Sequence, residues 1–248
     1  MRIAVAGATG RIGQLTIAAL ERDGHQTVAV SRRAGVDAYT GSGLDAALDG
    51  VDVVVDSTNT PSTDQAEIVD FFGTITRNLM AAEERAAVRH HVLLSIVGLE
   101  HDQAVPHYAG KREQERLVTE GPVPWSIVRA TQFHDFAAMV AGWTERDGVA
   151  TLAPLLVQPI ALADVAAVLA ETAVAPPLRA TIDIAGPETE DLVDMARRTF
   201  AARGQEITLV PTWRGVFGLD MAGEVLLPGR GARLGPTTFE AWLAAGAK

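Results

Sequence analysis

The chain contains no cysteine, which excludes a disulfide framework and a thiolate metal site. No segment offers the ~18 uninterrupted apolar residues of a membrane-spanning helix. The basic leader of a secretory signal is missing too, because glycines interrupt the first apolar run. These absences lead us to expect a soluble, cytoplasmic protein. Positive charge is in deficit: 21 Lys and Arg against 31 Asp and Glu leave a net charge of −10. Such a balance disfavours nonspecific binding to nucleic acid or to anionic membranes. Three catalytic signatures are also lacking. There is no G-x-S-x-G elbow, no Gly-Lys-Ser/Thr and no H-E-x-x-H, so serine hydrolase, P-loop and zinc-protease readings lose support. His25, His90, His91, His101 and His134 show no metal-ligand spacing; packing or surface roles are expected of them, and no metal is expected.

What remains is an ordinary globular composition, with 48% hydrophobic and 21% charged residues in 248. That length can bury a substantial core, as one α/β domain or a domain with a small appendage. Apolar runs at Arg2–Ala6, Thr27–Val30, Val51–Asp56, His91–Val97 and Trp125–Val128 read as buried strands. Helix-period segments alternate with them: Ile12–Arg22, Leu44–Leu48, Thr63–Ala87 and His107–Glu120. Alternation of this kind predicts a doubly wound parallel sheet covered on both faces, with ligands at the carboxyl ends of its strands. The second half predicts extended chain over Gly148–Ala161, helices over Leu162–Val174, Glu188–Arg203 and Pro236–Ala245, and strands over Thr181–Ala185 and Glu206–Val210. Gly215–Arg233 reads as loop. We expect one α/β unit over residues 1–248, its core in about 1–150 and a small α/β cap in about 151–248.

The first thirteen residues are the most specific. Gly7-Ala8-Thr9-Gly10-Arg11-Ile12-Gly13 follows a strand and opens a helix. Gly7 permits a tight turn, Gly10 lets the backbone approach a pyrophosphate, and Gly13 allows close packing of helix on strand. The alternative is a structural turn without a ligand. The second strand ends in Ser31-Arg32-Arg33, where an NAD-specific site places an acid for the ribose hydroxyls. A hydroxyl and guanidinium groups suit the additional 2′-phosphate of NADP instead, which favours NADP(H) over NAD(H). Arg11, Arg32 and Arg33 also concentrate positive charge in an acidic chain, although solvated arginines would look the same.

Later strand ends carry further candidates. Thr58 and Asn59 follow the third strand, either beside a cofactor ribose or simply in a hydroxyl-capped turn. Ser95, near the end of the fourth, is placed to hydrogen-bond a substrate oxygen or to satisfy its own backbone. In the helix that follows, Lys111 lies four residues after His107 and three after Tyr108, so either can share its face. An ammonium beside a phenol lowers the phenol's pKa and makes it usable in carbonyl reduction.

In order, Gly7–Gly13, Leu94-Ser95-Ile96-Val97-Gly98, the Lys111 helix and Trp125–Phe133 resemble the atypical short-chain dehydrogenase/reductase superfamily, in its NmrA-like NAD(P)H-binding branch. The resemblance implies a Rossmann-type fold. It implies that Gly7, Thr9, Gly10, Arg11, Ile12 and Gly13 meet the cofactor phosphates, and that Ser31 and Arg32 meet the adenosine ribose or its phosphate. It places Thr58 and Asn59 beside the cofactor, Lys111 on the nicotinamide ribose, and Thr131 and Phe133 near the nicotinamide. The family pattern is Tyr-x-x-x-Lys, whereas here His107 stands four before Lys111 and Tyr108 is displaced by one, about 100° around a helix. Three readings stay open: His107 as the acid, Tyr108 reaching the substrate, or loss of the proton donor. Accordingly two functions are expected: an NAD(P)H-dependent oxidoreductase for a small carbonyl or quinone-like substrate, or a catalytically weak NAD(P)-binding sensor acting through a protein partner. A sugar-nucleotide epimerase is a weaker third, since the C-terminal part leaves little room for a nucleotide sugar. A small-molecule substrate is the expected partner, and a homodimer is the assembly to test.

Overall fold

The computed structural model describes residues 1–100 and 105–246. Eleven strands and eight α-helices are formed among them. In chain order these are β1 (Arg2–Ala6), α1 (Arg11–Arg22), β2 (Gln26–Val30), α2 (Leu44–Leu48), β3 (Val53–Asp56), α3 (Gln65–Arg85), β4 (His90–Ile96), α4 (Pro106–Glu120) and β5 (Trp125–Ala130). The second half adds α5 (Phe136–Thr144), β6 (Val149–Leu152), β7 (Leu156–Val157), α6 (Leu162–Val174), β8 (Thr181–Ala185), β9 (Glu190–Asp191), α7 (Leu192–Ala202), β10 (Thr208–Pro211), β11 (Arg233–Leu234) and α8 (Phe239–Ala244).

Period-two alternation decides the layering. Ile3, Val5, Val55, Val92 and Val128 point to one face of the sheet, where α1 and α6 cover them. Their neighbours Ala4, Ala6, Val54, Leu93 and Ile127 point to the other, beneath α2, α3 and α4. With both faces buried the strands must be apolar throughout, and parallel pairing through crossover helices follows. The main sheet has seven strands in the order β11-β8-β5-β4-β3-β1-β2, all parallel. This is the expected Rossmann-type, doubly wound arrangement. From β2 the chain crosses β1 to form β3 on its far side. The helices after β1 and β3 therefore leave on opposite faces, which opens a crevice above the carboxyl ends of these two strands.

The second half contributes β8 and β11 to the main sheet and builds a third core from the rest. Ala137, Val140, Leu152, Leu155, Leu192, Met195 and Phe239 are its buried members. Two elements depart from expectation. Residues 136–144 form α5, which has no counterpart in the sequence reading: Phe-Ala-Ala-Met-Val-Ala-Gly-Trp-Thr lacks a polar face and a side-chain cap. The helix expected from Glu188 begins at Leu192, because Glu190 and Asp191 pair antiparallel with β7 and Asp191 then caps the helix. The glycine-rich stretch 215–233 is mostly loop, with a single 3-10 turn at Leu219–Met221 before β11. No described helix is long and apolar enough to cross a membrane.

Candidate functional site

The glycine loop lies at the crevice. Gly7 has φ +77°, and a Cβ there would sit 2.7 Å from the Ser57 carbonyl oxygen. The turn that follows β1 is thus pressed against the turn that follows β3. A Cβ on Gly13 would meet the Gly7 carbonyl oxygen at 2.3 Å, so α1 approaches β1 as closely as backbone permits. Gly10 caps α1 with no side-chain hydrogen bond, and the first turn of the helix holds no acid. Free N–H groups and the positive end of the helix dipole face the crevice, as an anion requires. Gln14 Nε2 donates to the Thr9 carbonyl at 2.8 Å and steadies the loop. Thr9, Gly10 and Arg11 are exposed, whereas Ile12 and Gly13 are buried. Arg11 is ion-paired with Asp135 at the start of α5, which ties the third core to the loop. On the far side, a Cβ on Gly98 would meet the Val225 carbonyl oxygen at 2.9 Å.

At the end of β2, the Ser31 hydroxyl accepts from Ala34 N at 3.3 Å and caps a one-turn 3-10 helix, Arg32–Ala34. That turn leaves Arg32 and Arg33 exposed, and neither makes an ion pair among the described residues. At the end of β3, Thr58 is buried and Asn59 exposed. Thr58 donates twice to Asp56 Oδ1, from N at 2.9 Å and from Oγ1 at 2.7 Å.

Lys111 is buried, and a close crossing of α3 and α4 puts it there. A Cβ on Gly110 would lie 2.6 Å from Ile68 and Phe72 side-chain atoms, and Nζ stands 4.7 Å from the Phe72 ring centroid. The ammonium donates to the Leu94 carbonyl at 2.8 Å and to Gln114 Oε1 at 2.7 Å. Gln114 Nε2 in turn donates to Asp56 Oδ2 at 2.8 Å. Burial pulls the Lys111 pKa down to about 8, against the opposing pull of Asp56 and Glu115. His107 packs edge-on against Phe72, with centroids 5.3 Å apart. Its pKa falls to about 4, through burial first and the Lys111 charge second, so its imidazole is neutral at pH 7. Tyr108 is buried. Ser95 is buried as well, and its Oγ has no partner among the described residues. An orphaned buried hydroxyl is costly unless something else satisfies it.

Thr131 Oγ1 donates to the Gln158 carbonyl at 2.6 Å. Phe133 bridges to Ile160 and packs on the core beneath α1 and α6. The remaining histidines are structural in setting: His25 stands 3.4 Å from the N-terminal amine, His90 meets Ser126, His91 meets Glu83, and His134 meets the Pro159 carbonyl. His101 lies outside the described residues. No metal-holding group of His, Asp and Glu is found among those described.

Residues 7–176 match a family model described as NAD(P)H-binding. The chain belongs to this family. It is 33% identical over 144 residues to a (4-alkanoyl-5-oxo-2,5-dihydrofuran-3-yl)methyl phosphate reductase of Streptomyces griseus subsp. griseus, covering 53% of this chain and 48% of that protein. The match thus spans about half the length of the curated relative. In fold, the NAD(P)H-binding chain is similar to an NAD-bound short-chain dehydrogenase/reductase superfamily protein from Agrobacterium tumefaciens. That likeness has a TM-score of 0.74 at 19% identity, over 100% of this chain and 96% of that one. It is similar too to an NADPH-dependent quinone oxidoreductase from Escherichia coli complexed with NADPH, with a TM-score of 0.68 at 18% identity, over 85% and 78% of the two chains.

The residues fit the family's nucleotide. Glycine at 7 and 13 lets the loop close on the turn after β3 and on α1, and the helix start beside it has no side-chain cap to occupy its N–H groups. Sequence reasoning missed Asp56, Gln114, Phe72 and Asp135. Asp56 had a signal, since a carboxylate closing the run Val53-Val54-Val55 must find a buried partner. The others are brought in from distant segments and carried none.

Proposed function

We propose that the chain is an NADP(H)-dependent oxidoreductase acting on a small carbonyl or quinone-like substrate. One observation carries the reading: a glycine loop at the sheet's switch point lies beside a strand end that offers two guanidinium groups unpaired among the described residues and no carboxylate. In this reading the backbone of Gly7–Gly13, with Thr9, Arg11 and Ile12, holds the pyrophosphate. Ser31 and Arg32 hold the 2′-phosphate, Thr58 and Asn59 flank a ribose, and Thr131 and Phe133 border the nicotinamide. When bound, the nicotinamide supplies a hydride donor or acceptor. Lys111 anchors a ribose hydroxyl through an N–H that its two protein acceptors leave free. Ser95 Oγ, which has no partner among the described residues, hydrogen-bonds the substrate oxygen.

The state of His107 bears on the substrate. His107 is neutral at pH 7 and is therefore a weak acid for protonating an alkoxide. A quinone oxygen becomes a resonance-stabilised phenolate on reduction and draws its proton from water without help. Where His107 is the group beside the substrate oxygen, a quinone or similarly conjugated acceptor suits this site better than a simple ketone. The named substrate of the Streptomyces relative, an unsaturated oxo-furan, is a conjugated carbonyl of the same general character.

The test is to offer NADPH and a panel of quinones, conjugated carbonyls, aldehydes and ketones, following absorbance of the reduced nicotinamide. Oxidation with quinones or conjugated carbonyls supports the proposal. Tight, saturable NADPH binding without oxidation across the panel refutes it in favour of a sensor. Lys111→Ala is expected to remove turnover far more than nucleotide binding, and intact turnover in this variant counts against the assignment.

A further inference from the structure

Beside Lys111, the functional reading leaves the buried polar residues Asp56 and Gln114 without a task. Both are fully buried, at 0% exposure, where a polar side chain is destabilising unless every group is matched. The match is directional. An ionised carboxylate only accepts hydrogen bonds and an ammonium only donates them, whereas a primary amide does both at opposite ends. Asp56 accepts from Thr58 on one oxygen and from Gln114 on the other, and this turns the Gln114 carbonyl toward Lys111. The choice of cation is informative as well. Lys111 and Lys248 are the chain's two lysines, and its permanently cationic side chains are arginines. Lysine can lose its proton when buried and arginine cannot.

We propose that Gln114 is a positioning residue: its amide, oriented by Asp56, pins the Lys111 ammonium on the Leu94 carbonyl and links it to Thr58 at the crevice. The inference rests on the reading of Lys111 as a site residue. Two of the ammonium's three donors are then spent on the protein, and the third keeps a fixed direction for a ligand hydroxyl. The link also runs both ways, so a nucleotide packed on Thr58 and the charge on Lys111 influence one another. The other charged or titratable groups around Lys111 are Asp56 on β3 and Glu115 and His107 on α4. From α3 it meets the Phe72 ring.

With two lysines, uniform [ε-13C]lysine labelling gives two resonances, and the lysine midpoints can be read directly by NMR titration of the full chain. Lys248→Arg assigns them. In the nucleotide-free protein the Lys111 midpoint is expected near 8. Gln114→Met removes the acceptor and should lower that midpoint by about one pH unit. Gln114→Glu adds a negative charge and should raise it by a similar amount. Saturating NADPH should move the wild-type midpoint and move that of Gln114→Met less. Opposite shifts in the two variants support the proposal, and an unchanged Lys111 midpoint in whichever variant folds overturns it. If NADPH does not bind at all, the functional reading fails, while the nucleotide-free midpoints still decide the role of Gln114.

Discussion

Two helical glycines should respond to alanine in opposite directions. In a helix interior, alanine is favoured over glycine by about 0.8–1.0 kcal/mol. Gly142 in α5 is exposed, and a Cβ there would meet nothing within 4 Å. Gly142→Ala should therefore stabilise the protein by up to about 1 kcal/mol. Gly13 enjoys the same propensity gain, yet its Cβ would lie 2.3 Å from the Gly7 carbonyl oxygen and 3.0 Å from Ala8 Cα. Both are backbone atoms of a loop already pressed against Ser57, so relief requires moving α1 away from β1. Overpacking costs about 1–3 kcal/mol, and rigid backbone contacts belong at the upper end. Subtracting the propensity gain leaves a net loss of about 2 kcal/mol. With a urea slope of about 2 kcal/mol per molar, the midpoint should fall by about 1 M. The same displacement moves the N–H groups that face the anion, and NADPH should bind at least about tenfold more weakly, or 1.4 kcal/mol. Urea unfolding and nicotinamide fluorescence measure the two effects. A Gly13→Ala protein as stable as wild type, with undiminished NADPH affinity, would refute the close-approach argument and the cradle with it.

Further expectations follow from other parts of the molecule. Arg32→Ala should weaken NADPH roughly 10–100-fold and leave NADH nearly unchanged, since a hydrogen bond to a charged group contributes about 1.5–3 kcal/mol; equal losses for both nucleotides in paired titrations would remove Arg32 from the 2′-phosphate. His91 and Glu83 form a fully buried pair 2.8 Å apart, and breaking it with Glu83→Leu alone should cost about 3–5 kcal/mol, with the Glu83→Leu/His91→Leu double variant costing less. Burial lowers the His91 pKa, but the Glu83 charge and hydrogen bond outweigh it, and the net shift is upward from 6.5. That contribution is therefore complete below pH 6.5 and fades as pH rises through the elevated value. For Lys111 the sign is opposite, because its folded value near 8 lies below 10.5. Its destabilising effect is complete below pH 8 and relaxes between pH 8 and 10.5, a slope that Lys111→Met should abolish in pH-dependent unfolding curves.

Local signals made much of the fold legible. Continuous apolar runs located β1 to β5, and the helix Leu162–Val174 appears with the bounds its periodicity indicated. The glycine loop was legible because its close backbone approach is encoded by spacing within seven residues. Helix α5 was not, since an all-apolar segment with an internal glycine carries no helical period. Strand β11 escapes the sequence reading, whose loop ends at Arg233, because two residues become a strand only by pairing with β8. The same distinction governs the site. Lys111 announced itself beside His107 and Tyr108, but the bond from Gln114 to Asp56 spans 58 residues of sequence. Only the packing of α4 on the sheet joins them, and no local pattern reports such a contact. The lowering of the His107 pKa was legible in part, from Lys111 four residues on, but its larger cause, burial against Phe72, is a tertiary fact.

Calorimetric titration of the intact chain with NADPH and NADH in parallel addresses the central claim most directly. Single-site NADPH binding, at a Kd at least about tenfold below that for NADH, is the result expected when Arg32 meets a phosphate. Absence of binding by either nucleotide at millimolar concentration would contradict the account.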